Sequence, residues 1–125
     1  MISDQTIQDI AKVMYLWGRP DRFDTTRMGF LLGKKGADEI IGVYIPKQEE
    51  HVSHPVISAE EKQKAFDFAE KIRCEIVGFA QYNGSTDPIS TVFTYQMIEE
   101  LEEKLGFQPA CLITNMHNDY DLLEN

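Results

Sequence analysis

Residues 76–84, with the sequence IVGFAQYNG, decide the fold of this chain. The stretch begins as a continuous apolar run, which is typical of a buried strand. A turn containing Gly84 follows, and the apolar periodicity of a helix begins a few residues later. The polar residues at this junction are two neutral amides, Gln81 and Asn83, and their chemistry bears directly on the function.

The composition predicts one acidic globular domain. The chain has 125 residues, of which 42% are hydrophobic, so it can build one core and is short for two; we expect a single domain over residues 1–125. Its net charge of −9 argues against binding to nucleic acid or to an anionic membrane surface. Proteins or small molecules are therefore the expected partners.

The sequence also predicts a cytoplasmic location. The first residues turn polar at once, unlike a signal peptide, and no apolar run approaches the roughly 20 residues of a membrane-spanning helix. Cys74 and Cys111 both lie in apolar, strand-like stretches. They are predicted to be buried free thiols in a reducing compartment, although a disulfide between them is a possible alternative.

The hydrophobic pattern predicts an α/β (α+β) fold, with a mixed β-sheet flanked by helices in the order αββαβαβ. The predicted helices cover residues 3–17, 58–73 and 90–105, and the predicted strands cover residues 27–33, 39–45, 75–80 and 110–114. The first two strands form a β-hairpin. Ser3 and Ser58 are the expected N-caps of the first two helices, and Gly106 ends the third. The acidic tail is a candidate for one further edge strand.

The second helix is predicted to bury one apolar face. At helical spacing this face comprises Ala65, Phe68, Ala69 and Ile72. Phe66 falls beside this face, and Leu16 falls opposite the apolar face of the first helix. Because apolar residues outside a core face sometimes mark an interface, Leu16 and Phe66 are the candidate interface residues.

Two short segments make the chain resemble the MPN (JAMM) domain family. Residues 28–33, MGFLLG, resemble the strand that opens this domain, and residues 76–79, IVGF, resemble its Ile/Val-Val-Gly-Trp strand. In that family the second strand runs into a His-x-His-Pro motif and then into Ser-x-x-Asp at the start of a helix. The order and spacing of the segments extend the resemblance over residues 5–115.

The resemblance implies a degenerate zinc site. Active members are zinc hydrolases that cleave isopeptide bonds to ubiquitin or related modifiers. The position of their general base, in Glu-x-x-Gly, falls on Thr26, and the positions of their two zinc-binding histidines fall on Gln81 and Asn83. Their Ser-x-x-Asp falls on Thr91 and Thr94. Since zinc needs histidine, thiolate or carboxylate ligands, we expect no metal, no cofactor and no catalysis.

Other residues offer weaker alternatives for a metal or a base. His51 and His54 imitate the family motif, but their spacing differs, and we expect them in a solvated loop in another part of the fold. Asp24 is a candidate base on the same strand face as Thr26. A zinc isopeptidase with non-standard ligands is therefore kept as an alternative, and so is an enzyme of unrelated chemistry in the same cleft.

The resulting functional hypothesis is a catalytically inactive MPN-like domain. It is expected to act as a structural or protein-interaction module, as a homodimer or with another MPN domain, in a ubiquitin-type modifier pathway. Alternatively, the former active-site groove holds a peptide or the tail of a ubiquitin-like protein without cutting it. In that case Gln81, Tyr82, Asn83 and Thr26 would supply hydrogen bonds to the bound chain.

Overall fold

The computed structural model describes residues 2–17, 25–36 and 39–123, and these form a mixed α+β structure. Within the described residues, three helices and five strands follow the order αββαβαββ. The elements are α1 (Asp4–Leu16), β1 (Arg27–Lys34), β2 (Ile40–Tyr44), α2 (Ala59–Lys71), β3 (Cys74–Tyr82), α3 (Val92–Leu105), β4 (Ala110–Thr114) and β5 (Tyr120–Leu123). The predicted α/β (α+β) class is confirmed.

The five strands form one mixed sheet in the order β2-β1-β3-β4-β5. Strands β3 and β4 are parallel, and the other neighbouring pairs are antiparallel. The predicted hairpin of β1 and β2 is confirmed, with Phe30 opposite Tyr44. The acidic tail contributes β5 at the edge of the sheet, which adds one strand to the predicted order αββαβαβ.

Helices cover both faces of the sheet. On one face, α1 packs its buried residues Ile7, Ile10 and Met14 against Leu31 and Leu112. On the other face, α2 and α3 bury Ala65, Ala69, Met97 and Leu101 over Phe30, Ile76 and Phe79. The central strand β3 is therefore buried on both sides, which explains its continuous apolar sequence.

Gly78 allows β3 and β4 to approach closely. It lies opposite Ala110 in the parallel pair. A Cβ atom at residue 78 would lie 1.9 Å from the carbonyl oxygen of Ala110, far inside van der Waals contact. The close packing of the β3 and β4 backbones therefore requires glycine at position 78.

The helix ends follow the sequence signals closely. The hydroxyl of Ser3 accepts a hydrogen bond from the amide of Thr6, and that of Ser58 accepts one from the amide of Glu61, so both predicted N-caps are confirmed. Gly106 ends α3 with φ of 82°. The N-cap of α3 is Thr91, one residue after the predicted start.

The predicted apolar face of α2 is partly wrong. Ala65 and Ala69 are buried, but Phe68 is 39% exposed and Ile72 is 45% exposed. Phe66 instead packs against the core, with its ring centroid 6.1 Å from that of Phe30. Lys104 Nζ lies 4.1 Å from the Phe66 ring centroid on the other side. Phe66 is therefore half-buried, with one side of its ring packed against the core.

The two cysteines are buried and unpaired, as the sequence predicts. Cys74 and Cys111 are buried free thiols, so the alternative of a disulfide is wrong. Burial, together with the nearby Asp121 carboxylate, raises the pKa of Cys111 to about 12, which keeps this thiol protonated and unreactive. Among the described residues, no helix is both long and apolar enough to cross a membrane.

Candidate functional site

Strand β3 extends two residues further at its C-terminus than predicted, so Gln81 lies within the strand. It continues through Gln81 and Tyr82, so these residues follow the alternation of a strand and not the geometry of a turn. Gln81 lies opposite Met28 of the α2–α3 face, and its side chain reaches the start of α3. Tyr82 belongs to the cluster under α1 on the other face. The side chains of Gln81 and Tyr82 therefore lie on opposite faces of the sheet.

The side chain of Gln81 is buried and fully engaged by three neighbours. Its Nε2 donates to Asn83 Oδ1 at 2.7 Å and lies 3.2 Å from Thr91 Oγ1. Its Oε1 accepts from Thr94 Oγ1 at 2.7 Å. We call Gln81, Asn83, Thr91 and Thr94 the amide–threonine cluster. Four of the five degenerate positions that the resemblance assigned to the zinc site are thus brought together.

Thr91 and Thr94 also build the first turn of α3. The amide of Thr91 donates to Thr94 Oγ1 at 2.8 Å, and the amide of Thr94 donates to Thr91 Oγ1 at 3.4 Å. This reciprocal capping box satisfies two backbone donors that a helix N-terminus leaves free. The two hydroxyls therefore tie the start of α3 to the end of β3.

Asn83 holds the loop between β3 and α3. Its Nδ2 donates to the carbonyl oxygens of Asp87 and Ile89, both at 3.0 Å. Its Oδ1 accepts from Gln81, so both ends of the amide are used inside the protein. The loop conformation consequently depends on this side chain.

Thr26 lies at the same end of the sheet but makes different contacts. Its amide donates to the carbonyl of His51 at 2.7 Å, and its Oγ1 donates to the carbonyl of Val52 at 2.9 Å. The side chain is buried and its hydroxyl proton is directed to the backbone of residues 51–52. Thr26 therefore anchors the polar loop before α2. Asp24, the other candidate base, lies outside the described residues.

The prediction that Tyr82 shares a groove with Gln81 is wrong. The Tyr82 ring packs under Arg27, whose Cζ lies 4.5 Å from the ring centroid, and edge-on against Tyr15 at 6.4 Å. Tyr82 is fully buried on the α1 side of the sheet. A residue on the opposite face of β3 cannot contact a ligand beside the amide–threonine cluster.

A groove of about 630 Å³ runs beside the amide–threonine cluster. Thr26, Asn83 and Thr91 form its inner wall, and His54, Val92 and Phe93 are among its outer lining residues. His54 therefore borders the predicted site, which corrects the expectation that this histidine lies elsewhere in the fold. The reason is the bridge between Thr26 and His51, a contact between distant parts of the chain.

Among the described residues, His51 and His54 have no third ligand with which to form a metal site. Both are exposed, as expected, and their rings stack with centroids 5.5 Å apart. His54 Nδ1 is 2.9 Å from Ser53 Oγ. Across the described ranges, no group of three or more histidine, cysteine or acidic side chains is placed to hold a metal ion.

The amide–threonine cluster itself does not fit a zinc ion. Zinc is held in proteins by imidazole nitrogen, thiolate or carboxylate, and the cluster offers only amide and hydroxyl groups. These groups also satisfy one another at 2.7 Å in two of the contacts. A dication here would have to break that network without gaining an anionic ligand to offset its lost hydration.

An apolar rim, not predicted from the sequence, borders the groove. Val52 is 66% exposed and Val92 is 73% exposed, and both line the groove. Tyr95 lies one turn after Val92 on α3 and is also exposed. The sequence signal for Val92 and Tyr95 was their position off the apolar face of α3, and for Val52 it was an apolar residue within the polar loop before α2. We call Val52, Val92 and Tyr95 the rim.

Comparison with known proteins supports the fold and gives no activity. No family model matches the chain, and no curated protein matches it. The solution structure of protein DSY2949 from Desulfitobacterium hafniense is similar, with a TM-score of 0.63 and 12% identity. The match covers 97% of this chain and 79% of that one. At this identity the similarity concerns the fold alone.

Proposed function

We propose that this chain is an MPN-like domain that performs no zinc hydrolysis and acts as a protein-interaction module. It pairs with itself or with another MPN domain and works in a ubiquitin-type modifier pathway in the cytoplasm. The observation that carries the proposal is the amide–threonine cluster, in which Gln81 joins Asn83 to Thr94 by two hydrogen bonds of 2.7 Å.

The cluster supports a structural role for these positions. Each buried polar group in it has a partner, and opening one contact would leave a buried donor or acceptor unpaired at a cost of about 1–3 kcal/mol. The four side chains hold β3, the following loop and the start of α3 together. On this proposal, residues that bind zinc in active relatives of the MPN family have been replaced by residues that stabilise the scaffold.

Leu16 supports an interface on α1. It is 65% exposed at the end of the helix, and Val13 is exposed one turn earlier. Two apolar side chains at this spacing form a small surface that a partner helix can cover. Of the two predicted interface residues, Leu16 is the more exposed, because Phe66 packs partly against Phe30.

The rim supports a second candidate function, in which the groove holds a peptide or the tail of a ubiquitin-like protein. Exposed Val52 and Val92 border a groove that has no acidic, lysine or arginine side chain among its described lining residues, in an otherwise acidic chain. Gln81 and Tyr82 do not supply the hydrogen bonds of this alternative, since Gln81 is saturated and Tyr82 faces α1. Thr26 and Asn83 remain part of its wall.

Two measurements on one sample test the proposal and separate its two forms. Native mass spectrometry of the full chain is expected to detect a dimer, and Leu16→Ala is expected to shift it toward monomer. A titration with ubiquitin, followed by amide chemical shifts, reports on the groove. Shifts confined to residues 52–54 and 92–96 favour the tail-binding form. Cleavage of a ubiquitin isopeptide with bound zinc would establish the non-standard zinc isopeptidase instead.

A further inference from the structure

A second groove lies on the other face of the sheet, between α1 and the β4–β5 hairpin. It measures about 710 Å³, within the range of sites that enclose small molecules. Ile7, Ala11 and Met116 give it apolar walls, and Tyr15 and Tyr120 add aromatic ones. It shares no lining residue with the groove beside the amide–threonine cluster.

A row of three hydroxyl-bearing residues crosses the sheet toward this groove. Tyr82 of β3 pairs with Thr114 of β4, and Thr114 pairs with Tyr120 of β5. Directly paired residues of neighbouring strands point to the same face, so the three side chains form a row on the α1 side. Tyr120 lines the groove, and Thr114 is its register partner on the neighbouring strand.

The two inner hydroxyls of this row are buried without a hydrogen-bond partner. Tyr82 Oη and Thr114 Oγ1 are the buried side-chain polar atoms left unpaired within the described chain. Both side chains are fully buried. Burial raises the pKa of the Tyr82 phenol, so this group remains a neutral hydrogen-bond donor. Two such atoms at adjacent register positions require an explanation, because native proteins pair nearly all buried polar groups.

The charge of the groove indicates the sign of its ligand. Lys12 is the one ionised side chain among the residues that line it, in a chain with a net charge of −9. Gln8 and Asn118 are the other polar lining residues, and both are neutral. A local cation beside aromatic walls favours an anion with an apolar body over a cation or a neutral sugar.

From these observations we infer that the α1–β5 groove binds a small hydroxylated aromatic carboxylate. Lys12 pairs with the carboxylate at the mouth, Tyr15 and Tyr120 flank the ring, and the hydroxyl of the ligand completes the row of Tyr82 and Thr114. Tyr120 is about half exposed at the outer end of the row, and contact between the ligand and the inner hydroxyls requires its ring to move aside. Leu16 also lines this groove, so a ligand here and a partner helix on α1 would compete for the same surface.

The test compares three related probes on the full chain. 4-Hydroxyphenylacetate carries both groups, phenylacetate lacks the hydroxyl, and 4-hydroxyphenylacetamide lacks the charge. Titrations followed by amide chemical shifts are expected to place the first probe at residues 7–16 and 116–120. Each missing group is expected to weaken binding roughly tenfold, the equivalent of one charge-assisted or well-placed hydrogen bond.

Matched variants test which residues contact the carboxylate and which contact the hydroxyl of the ligand. Lys12→Gln is expected to remove the preference for the acid over the amide, and Lys64→Gln on α2 serves as its control. The double variant Tyr82→Phe, Thr114→Val is expected to remove the preference for the hydroxylated acid. The same double variant is expected to keep or raise the melting temperature of the free protein, because it deletes unpaired buried hydroxyls.

Three results would overturn the inference. The first is no saturable binding of 4-hydroxyphenylacetate, or shifts centred away from the groove. The second is a clear loss of stability in Tyr82→Phe, Thr114→Val, which would show that the hydroxyls already have partners within the protein. The third is a dimer, seen by native mass spectrometry, that buries Leu16 and excludes the probe, since the groove would then be a protein interface.

Discussion

The side-chain amide of Gln81 donates to Asn83 Oδ1 over 2.7 Å, although the two residues are only two positions apart at the end of β3. The contact forms because Asn83 lies beyond the last strand residue and turns back toward the start of α3, where it also holds the loop carbonyl of Ile89. The strand, the loop and the helix are therefore joined through neutral side chains at the candidate site.

Replacing Gln81 should destabilise the protein even when its volume is kept. Gln81→Met leaves Asn83 Oδ1 and the Thr94 hydroxyl without their partner in a buried setting, and we expect a loss of about 2–4 kcal/mol in the free energy of unfolding. Urea denaturation measures this loss. Gln96→Met, on the exposed wall of the same groove, should change stability by less than about 0.5 kcal/mol. Equal stabilities for the two variants would show that the cluster is not structural.

The buried Arg27 should be a second point of sensitivity. Its Nε pairs with Glu50, and its Nη1 donates to the carbonyls of Met14 and Tyr15 at 2.8 and 3.0 Å, which closes the C-terminus of α1. Arg27→Met is expected to cost about 3–5 kcal/mol, because it removes the cation beside the largely buried Glu50 carboxylate and the donor to two helix carbonyls.

Two further variants separate the buried ion pair from an ordinary one. Adding Glu50→Gln to Arg27→Met should restore part of the lost stability, since the unpaired charge is removed. The exposed pair of Lys35 and Glu70 is the control, and Lys35→Met should cost about 0–1 kcal/mol. Thermal unfolding of the three variants and the wild type would refute the assignment if Arg27→Met and Lys35→Met behaved alike.

Gly78 should tolerate no side chain. In Gly78→Ala the new methyl group meets the carbonyl of Ala110, so β3 and β4 must separate, and we expect a loss of more than about 3 kcal/mol or failure to fold. Gly42→Ala is the matched control in β2, because its added Cβ meets no atom within 4 Å. Circular dichroism and urea melts distinguish the two, and a fully stable Gly78→Ala would contradict the close strand approach.

Cys111 should make stability fall at high pH. Burial raises its pKa from 9.0 to about 12, so the unfolded chain releases this proton first. The stabilising contribution is complete below the unfolded pKa and is lost as the pH rises from about 9 toward about 12, at up to about 1.4 kcal/mol per pH unit. Urea melts between pH 8 and 10.5 should fall more steeply for the wild type than for Cys111→Ala. Parallel curves would speak against the burial of this thiol.

The sequence predicts the element order well because caps and breakers act locally. Ser3, Ser58 and Gly106 mark helix ends through contacts within one turn, and the structure places the ends of those helices within two residues of the predicted positions. The predicted phase of α2 failed because Phe66 and Phe68 both contact aromatic rings, Phe30 and Tyr44 respectively. Periodicity alone cannot decide which of two such residues is better covered.

The candidate site could be predicted only in part. The sequence places Gln81, Asn83, Thr91 and Thr94 near one junction, but it gives no sign that they bond to one another. The misplacement of Tyr82 has a physical cause: β3 continues through Tyr82, so Gln81 and Tyr82 point to opposite faces, and the sequence does not mark where the strand ends. The position of His54 depends on the long-range bridge between Thr26 and His51.

The proposal that neutral side chains stand at the positions of a zinc site is tested most directly by zinc content. Wild type and the triple variant Gln81→His, Asn83→His, Thr94→Asp are equilibrated with zinc, desalted and measured by metal analysis. The donor atoms of the three residues are linked by contacts of 2.7 Å, close enough for ligands of one ion. We expect no stoichiometric zinc in wild type and about one ion per chain in the variant. Stoichiometric zinc in the wild type, or none in the folded variant, would contradict the account.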